Sequence, residues 1–584
     1  MTIIAGMYAI YGEIDRYSSL WQSMKNVMSR NPEDTLVEFS NRKCCMAKID
    51  VGAFENPAIN FVDDSSFSML AGEPLVVFSD GKKVPRNKAL ELFHDSLRDN
   101  QGGGFERSRG MFCSVFYVSG TLYLVTDKLG LRPLYYLTNG GVFLFASAQR
   151  IFEESDVQLN MSLMGTCEKI VYGIPLGNRT EYDNLFCTKD AEVVKVCGDK
   201  IEIKRYWERW WEYDENCDNT HEKDIPAELF NKFVGAVSLR LGNDRRIRAF
   251  LSGGLDSRCV VAGVRECGAD AITYNFSREN TYDQLLSMLF AKDYDLQHNT
   301  VTLKESEAFR QHSEYLNKFF PYNEISKKDI LYPQLVWTGD GGSVCAGCVY
   351  LNDSMVSQLR VGKTKLAIKT LLQFNGWGIS TRVLKDPPFK EIESKMISTV
   401  ARQLDTINTV DPAKKIYVFL ILNDQRKHFF NHLQMIDLSR IEYISPFFDP
   451  ELIVAYFQIP IDDCLYHNMY MKWIRFFKFS ITETPWQAYA GHVPCHIALP
   501  TEGRNQWEVD KKYWLGKRKY LLEKVRNEID RRCFPDSIID KMTFFVSVLT
   551  TRYNLRDCSH ILEQSLTLNK IWRVCEGRYV DDLL

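Results

Sequence analysis

The sequence predicts an α/β chain in two parts, a layered β-rich domain followed by a doubly wound parallel sheet with added helices. Three observations carry the prediction. Short apolar strands bounded by turn residues recur through the first ~200 residues. Strand–helix–strand alternation begins near residue 247. Between them lies the acidic, polar stretch Glu212-Tyr213-Asp214-Glu215-Asn216, which reads as a linker. The expected division is therefore 1–212 and 217–584.

The elements follow in order. Thr2-Ile3-Ile4-Ala5-Gly6-Met7-Tyr8-Ala9-Ile10-Tyr11 reads as a buried first strand. It lacks the basic start of a signal peptide, and Glu13, Asp15 and Arg16 stand where a cleavage site would fall. Residues 67–78 form an apolar run broken by Gly72 and Pro74, 110–118 and 121–126 flank a Ser119-Gly120 turn, and 141–147 is another strand. In the second part, strand 247–251 enters a Gly-rich turn and then a helix-like stretch, 258–266. Strand 271–276, helix 283–293 and strand 298–303 follow, and after ~380 the pattern is mainly helical.

Composition excludes several classes. The 584 residues carry 72 Lys+Arg against 75 Asp+Glu, a formal net charge of −3, so no global excess draws nucleic acid or an anionic membrane. With 45% hydrophobic and 25% charged residues the chain has the balance of a folded globular protein, not of a disordered, collagenous or coiled-coil one. No apolar stretch approaches the ~20 residues of a membrane span. The 16 cysteines show no framework spacing and read as reduced thiols, which gives a cytoplasmic expectation.

The most informative segment is Ser252-Gly253-Gly254-Leu255-Asp256-Ser257, after a strand and at the start of a helix. The glycines let the backbone approach an anion, the amides and helix N-terminus supply donors, and both hydroxyls add to them. Asp256 stands where a divalent cation could bridge to a phosphate. The Gly-Lys-Ser/Thr ending of a Walker loop is missing.

This loop resembles the pyrophosphatase loop of the asparagine synthetase superfamily and its relatives, which cleave ATP to AMP and pyrophosphate. Asp127-Lys128-Leu129-Gly130-Leu131-Arg132-Pro133-Leu134-Tyr135-Tyr136 with Phe145-Ala146-Ser147 resembles the glutaminase-type N-terminal domain of asparagine synthetases. Thr338-Gly339-Asp340-Gly341-Gly342-Ser343 resembles their second substrate loop. Asp437-Leu438-Ser439-Arg440-Ile441-Glu442-Tyr443-Ile444-Ser445-Pro446-Phe447-Phe448-Asp449 resembles the segment lining the acceptor pocket, and Met471-Lys472-Trp473-Ile474-Arg475 the helix after it. The resemblance implies an Ntn-type αββα sandwich followed by an ATP pyrophosphatase domain. It implies ATP contacts at Leu251, Ser252, Gly253, Gly254, Leu255, Asp256, Ser257, Phe276 and Gly339, with Mg2+ at Asp256. Asp340 is expected as general base or orienter of the amine, and Glu442 falls where β-lactam synthetases carry the Glu of a Tyr–Glu pair. Lys472 and Arg475 share a helical spacing that could reach phosphates.

The chain also departs from the pattern. Ala5-Gly6-Met7 stands in place of the family's nucleophilic Cys-Gly-Ile, Ala71-Gly72-Glu73 in place of its Asn-Gly-Glu loop, and Arg109 in place of an aspartate. Losing nucleophile, oxyanion donor and substrate anchor together leaves no route for glutamine hydrolysis. In the synthetase half, Ser343 replaces the second metal-binding Asp, and the 484–494 loop has no Lys or Arg, leaving only His492, which carries charge only when protonated.

The expected activity is ATP- and Mg2+-dependent adenylation of a small-molecule or peptide carboxylate, followed by amide formation. The nitrogen would come from ammonia, a second substrate or the same molecule, the last as in the β-lactam synthetases and lasso-peptide cyclases that this chain resembles. A non-catalytic nucleotide- or partner-binding protein of the same fold is the alternative, and a homodimer is left open. The lone Cys345-Ala346-Gly347-Cys348 pair lacks a zinc-site partner pair. The basic stretches are short (Lys511-Lys512, Lys517-Arg518-Lys519), so no nucleic-acid partner is expected. His428 and His432, at i,i+4, and the cluster His492, Cys495, His496 have no carboxylate at zinc-site spacing and are read as packing or surface residues.

Overall fold

Strands that pack a partner sheet on one face and a helix on the other must be apolar on both, and the first strand is buried at every position from Ile3 to Ala9. Its alternation sorts the two faces: Ile4 and Tyr8 enter one core, while Ile3, Ala5, Met7 and Ala9 enter another. The computed structural model describes residues 1–78, 81–99, 102, 104–207, 211, 224–306, 330–375, 392–435, 439–489, 491–529, 534–580 and 582. The expected linker 212–216 and the motif residues Asp437 and Leu438 lie outside the described residues.

Two six-stranded antiparallel sheets make the N-terminal sandwich. In one, Ile3–Ala9 runs between Val142–Ala146 and Cys44–Ile49. In the other, Phe112–Val118 runs between Ser66–Gly72 and Thr121–Thr126. Met46, Phe67, Met69, Val115, Leu124 and Phe145 fill the space between the sheets. Helix Ser18–Met28 covers the first sheet, and Arg86–Arg98 covers the second through Ala89, Leu90 and Phe93. The result is helix–sheet–sheet–helix. The apolar run 67–78 ends as a strand at Gly72, whose φ of +82° turns the chain where a Cβ would strike the Met111 carbonyl.

The second part is a five-stranded sheet, ordered Gln297–Leu303, Asp270–Arg278, Arg246–Phe250, Leu335–Trp337, Glu442–Ile444, with every neighbouring pair parallel. Strand order reverses beside Arg246–Phe250, so this strand and Leu335–Trp337 leave a crevice at their C-terminal ends. Helices Leu255–Glu266 and Tyr282–Asp293 each follow a strand through a short loop, and helix Ile225–Leu241 packs on the first of them. Two turns are π-helical, Gly342–Ala346 and Leu420–Gln425, the latter running into helix Arg426–Met435.

Buried ion pairs join the two parts. Arg132 meets Glu442 at 2.8 Å, and Asp449 is shared by Arg109 at 3.0 Å and Arg240 at 2.8 Å. The C-terminal segment returns to the sandwich: Tyr579–Val580 pairs parallel with Met161–Ser162, and Asp582 accepts hydrogen bonds from Ser162 Oγ (2.6 Å) and Met164 N (2.7 Å). No helix among the described residues is long and apolar enough to cross a membrane.

Candidate active site

The 252–257 loop sits at the crevice where strand order reverses. It leaves the buried strand Arg246–Phe250 and enters helix Leu255–Glu266, whose first-turn amides have no partner within the helix. The loop is held from several sides. Ser257 Oγ accepts from Ser252 N (2.9 Å), Asp283 Oδ1 accepts from Gly253 N (3.0 Å), and the Gly253 carbonyl accepts from Gln487 N (2.9 Å). A Cβ on Gly253 would lie 2.7 Å from the Tyr282 carbonyl, so only glycine allows this approach.

The 338–343 loop packs on the same helix start. A Cβ on Gly339 would lie 2.6 Å from Ser257 N, and one on Gly342 2.5 Å from Asp256 Cγ. Gly341 has φ +89° and lies under the Phe448 ring. That closeness lets Ser343 donate through N (2.9 Å) and Oγ (2.7 Å) to Asp256 Oδ2, while Tyr470 OH donates to Oδ1 at 2.8 Å. Burial raises the Asp256 carboxyl, opposed by the donors from Ser343 and Tyr470 and reinforced by the Asp340 charge.

Two cavities meet at this carboxylate. One, of about 130 Å³, is walled by Leu255, Met471, Trp486, Tyr489 and His492; the other, of about 360 Å³, by Phe250, Phe276, Gly339, Asp340, His428 and His432. Ser252, Asp256, Asp283, Ser343 and Tyr489 line both. Among the described residues neither wall carries a Lys or Arg. Asp340 is set by its Thr338 Oγ1···N hydrogen bond (2.9 Å) and by Ser445 Oγ donating to its carbonyl (2.6 Å). His432 Nδ1 stands 3.7 Å from Asp340 Oδ2, and the His428 and His432 ring centroids are 4.3 Å apart. Burial alone would raise the Asp340 carboxyl, but contact with His432 and its charge, with help from Thr338 and His428, hold it at about 2. Burial, then the charge of His432, pushes the His428 imidazole down.

The structure brings together most of the residues singled out in the sequence. Ser252, Gly254, Leu255 and Asp256 line the first cavity, and Leu251, Ser252, Asp256, Ser257, Phe276, Gly339 and Asp340 the second. Gly253 carries the loop without lining either. Two expected catalytic residues are placed elsewhere. Glu442 is fully buried in a strand, with its oxygens accepting from Arg132 Nη1 (2.9 Å), Arg132 Nη2 (2.8 Å) and Thr2 N (2.6 Å), so it ties the two parts of the chain and does not line the cavities. Lys472 is exposed on the outer face of helix Asn468–Trp473, as is Arg475 beyond it; of the helix's buried residues, Tyr470 reaches Asp256 and Met471 lines the first cavity.

His492 does line the first cavity, but burial lowers its pKa and its Nδ1 lies 2.5 Å from that of His467, so it offers no standing positive charge. Ala5 is an interior strand residue, paired with Ala47 on one side and Ala146 on the other and wholly buried. Ala71 is buried opposite Cys113, and Arg109 is committed to Asp449 and Glu451. Cys345 and Cys348 are buried, burial raising the first thiol and the Cys464 contact the second, which leaves both poor nucleophiles.

Sequence reasoning passed over Asp283 and Tyr470, and it discounted the two histidines. Asp283 had a signal: Thr281 caps a helix at the C-terminal end of a parallel strand, where α/β sheets bind ligands. Tyr470 had none, because its Asp256 bond spans distant segments. The donor set fits ATP held with Mg2+. Asp256 and Asp283 supply hard oxygens beside a helix N-terminus, and among the described residues the walls carry no basic side chain, so a dication would be the group that offsets triphosphate charge there.

Comparison with known proteins finds asparagine synthetase relatives. The Asparagine synthase family model matches residues 228–320, and the Glutamine amidotransferase domain model matches 88–154. A putative glutamine-hydrolyzing asparagine synthetase 2 of Methanocaldococcus jannaschii is 26% identical over 286 residues, covering 44% of this chain and 54% of that protein. The glutamine-hydrolyzing asparagine synthetase 3 of Bacillus subtilis is 30% identical over 189 residues, covering 31% of this chain and 30% of that one. The chain thus spans about half the length of the first relative and under a third of the second. Among solved structures, an allosteric regulatory enzyme of purine biosynthesis matches with a TM-score of 0.25 at 10% identity over 47% of this chain and 66% of that one. A glutamine phosphoribosylpyrophosphate amidotransferase from B. subtilis matches with 0.24 at 9% identity over 59% and 77%. Likenesses this weak carry no functional inference.

Proposed function

The chain belongs to the asparagine synthetase superfamily, and from that premise we propose that it is an ATP-dependent ligase that adenylates a carboxylate and joins the acyl group to an amine, without a glutaminase of its own. The observation that carries the reading is the junction at Asp256, where the 252–257 loop, the 338–343 loop and both cavities meet.

The helix start at Leu255 and the hydroxyls of Ser252 and Ser257 supply the donors that hold phosphate oxygens in place. Phe276 and Tyr443 each meet Phe250 edge-on, at 5.9 and 5.7 Å between ring centroids, and the three line the second cavity as an apolar aromatic surface against which a purine could pack. The substrate carboxylate attacks the α-phosphorus, the bond to pyrophosphate breaks, and AMP leaves when the amine nitrogen attacks the acyl carbon. Bound Mg2+, held through Asp256 and the phosphates, would offset charge in the first displacement. Asp340, ionised at neutral pH, puts a fixed negative charge on the second cavity and favours an acceptor bearing an ammonium group. Ala5 has no atom that could attack glutamine, which supports ammonia or a substrate amine as the nitrogen source, as in β-lactam synthetases and cyclases. We propose that it acts in the cytoplasm on a small-molecule or peptide carboxylate.

One observation favours a second reading, a nucleotide-binding protein without catalysis. Ser343 occupies Asp256 Oδ2, and the cavity walls lack a basic side chain among the described residues. Pyrophosphate release separates the two. With ATP, Mg2+ and a panel of amino acids, dicarboxylates and short peptides, with and without ammonia, the ligase releases pyrophosphate in response to one carboxylate, and Asp256→Ala abolishes release. ATP binding by calorimetry with no release across the panel would favour the second reading, and absence of ATP binding would overturn both.

A further inference from the structure

We propose that Asp340, His428 and His432 form a binding site for one divalent transition-metal ion of the Zn2+ type in the wall of the second cavity. The donor atoms of these three side chains all lie within 4.8 Å of one another. Four-coordinate Zn2+, with bonds of about 2.0–2.1 Å, places neighbouring donors about 3.3 Å apart. His432 Nδ1 and Asp340 Oδ2 are already 3.7 Å apart, so the set lies within about 1.5 Å of that spacing.

The backbone is arranged for it. The π-helical turn Leu420–Gln425 feeds helix Arg426–Met435, and Gln425, His428 and His432 emerge on the same cavity wall. Opposite them, the Asp340 loop is pinned at both its amide and its carbonyl. His428, solvent-exposed on one side, has its ring centroid 4.3 Å from that of His432, so a single ion can reach both imidazoles and the Asp340 carboxylate. Two imidazoles and one carboxylate suit Zn2+, Co2+ or Fe2+ better than Mg2+, which prefers oxygen. Three protein ligands facing a cavity leave positions open to water or to donor atoms of a bound substrate. With the ion bound, Asp340 is a ligand, and a dication answers its charge in place of an ammonium group. The site stands on these side chains and does not rest on adenylation.

The test uses the full chain, tag removed and metal stripped. Calorimetry with Zn2+ should show one equivalent bound, and Co2+ should develop the visible bands of a four- or five-coordinate ion. His428→Ala, His432→Ala and Asp340→Asn should each weaken Zn2+ binding at least about tenfold, since changes to outer-shell partners alone cost about 10–100-fold. His560→Ala, at an exposed position, should not. Thermal unfolding without metal checks that each variant folds, and added Zn2+ should raise the midpoint of the parent protein only. Zn2+ binding by the parent no tighter than by His428→Ala/His432→Ala overturns the proposal. Zn2+ binding with a silent pyrophosphate assay would leave the metal site standing and count only against the ligase.

Discussion

Both oxygens of Glu442 are engaged by groups from the N-terminal sandwich, two from Arg132 and one from the Thr2 amide. Burial would raise this carboxyl, but the Arg132 charge and these donors hold it below its ordinary value. The pair therefore stabilises the fold fully above the unfolded carboxyl's pKa of about 4.3, and that stability is lost as pH falls through the lower folded value. Glu442→Gln leaves the Arg132 guanidinium buried without its counter-charge and is expected to cost about 3–5 kcal/mol in urea unfolding at pH 7. A variant that unfolds like the parent but no longer releases pyrophosphate would return Glu442 to a catalytic role.

At the level of elements, the site depends on two loops lying closer than any side chain permits. Gly342→Ala would put a methyl group 2.5 Å from Asp256 Cγ, so the 338–343 loop must lift and the Ser343 bonds to Asp256 must lengthen. The expected result is loss of pyrophosphate release by at least about tenfold, since geometric misplacement of about 1 Å costs roughly 10²-fold. Far-UV circular dichroism should stay unchanged; equal rates in the two proteins would show that the contact does not matter to turnover. This contact also marks what the sequence could reveal. Strand, Gly-rich turn and helix between residues 246 and 266 were legible because local periodicity and turn chemistry specify them. The Asp340–His432 approach was not, because one residue comes from a strand-end loop and the other from a helix reached through a π turn. Glu442 and Lys472 matched a motif in register, yet strand and helix faces decided their directions: one is turned to Arg132, the other to solvent.

For the whole molecule, the closing contact is the segment around Tyr579–Val580 lying along Met161–Ser162. Ser162 Oγ caps helix Leu163–Tyr172 by accepting from Gly165 N, and Asp582 adds a second acceptor at that helix start, for Met164 N and for the Ser162 hydroxyl itself. Asp582→Ala should cost about 1 kcal/mol. It should also speed amide hydrogen exchange in Leu163–Tyr172 while leaving the parallel sheet unchanged; uniform exchange rates in the two proteins would show that the second acceptor is not used.

That arrangement has a consequence for synthesis on the ribosome. The sandwich emerges first, yet Arg132 meets its counter-charge only when Glu442 has left the exit tunnel, and the Met164 amide meets its Asp582 acceptor later still. Until then the nascent sandwich holds a guanidinium without its carboxylate, so its consolidation waits on the second part of the chain. Chaperones that bind incompletely closed nascent chains should engage it longer than they would a sandwich able to finish its own contacts.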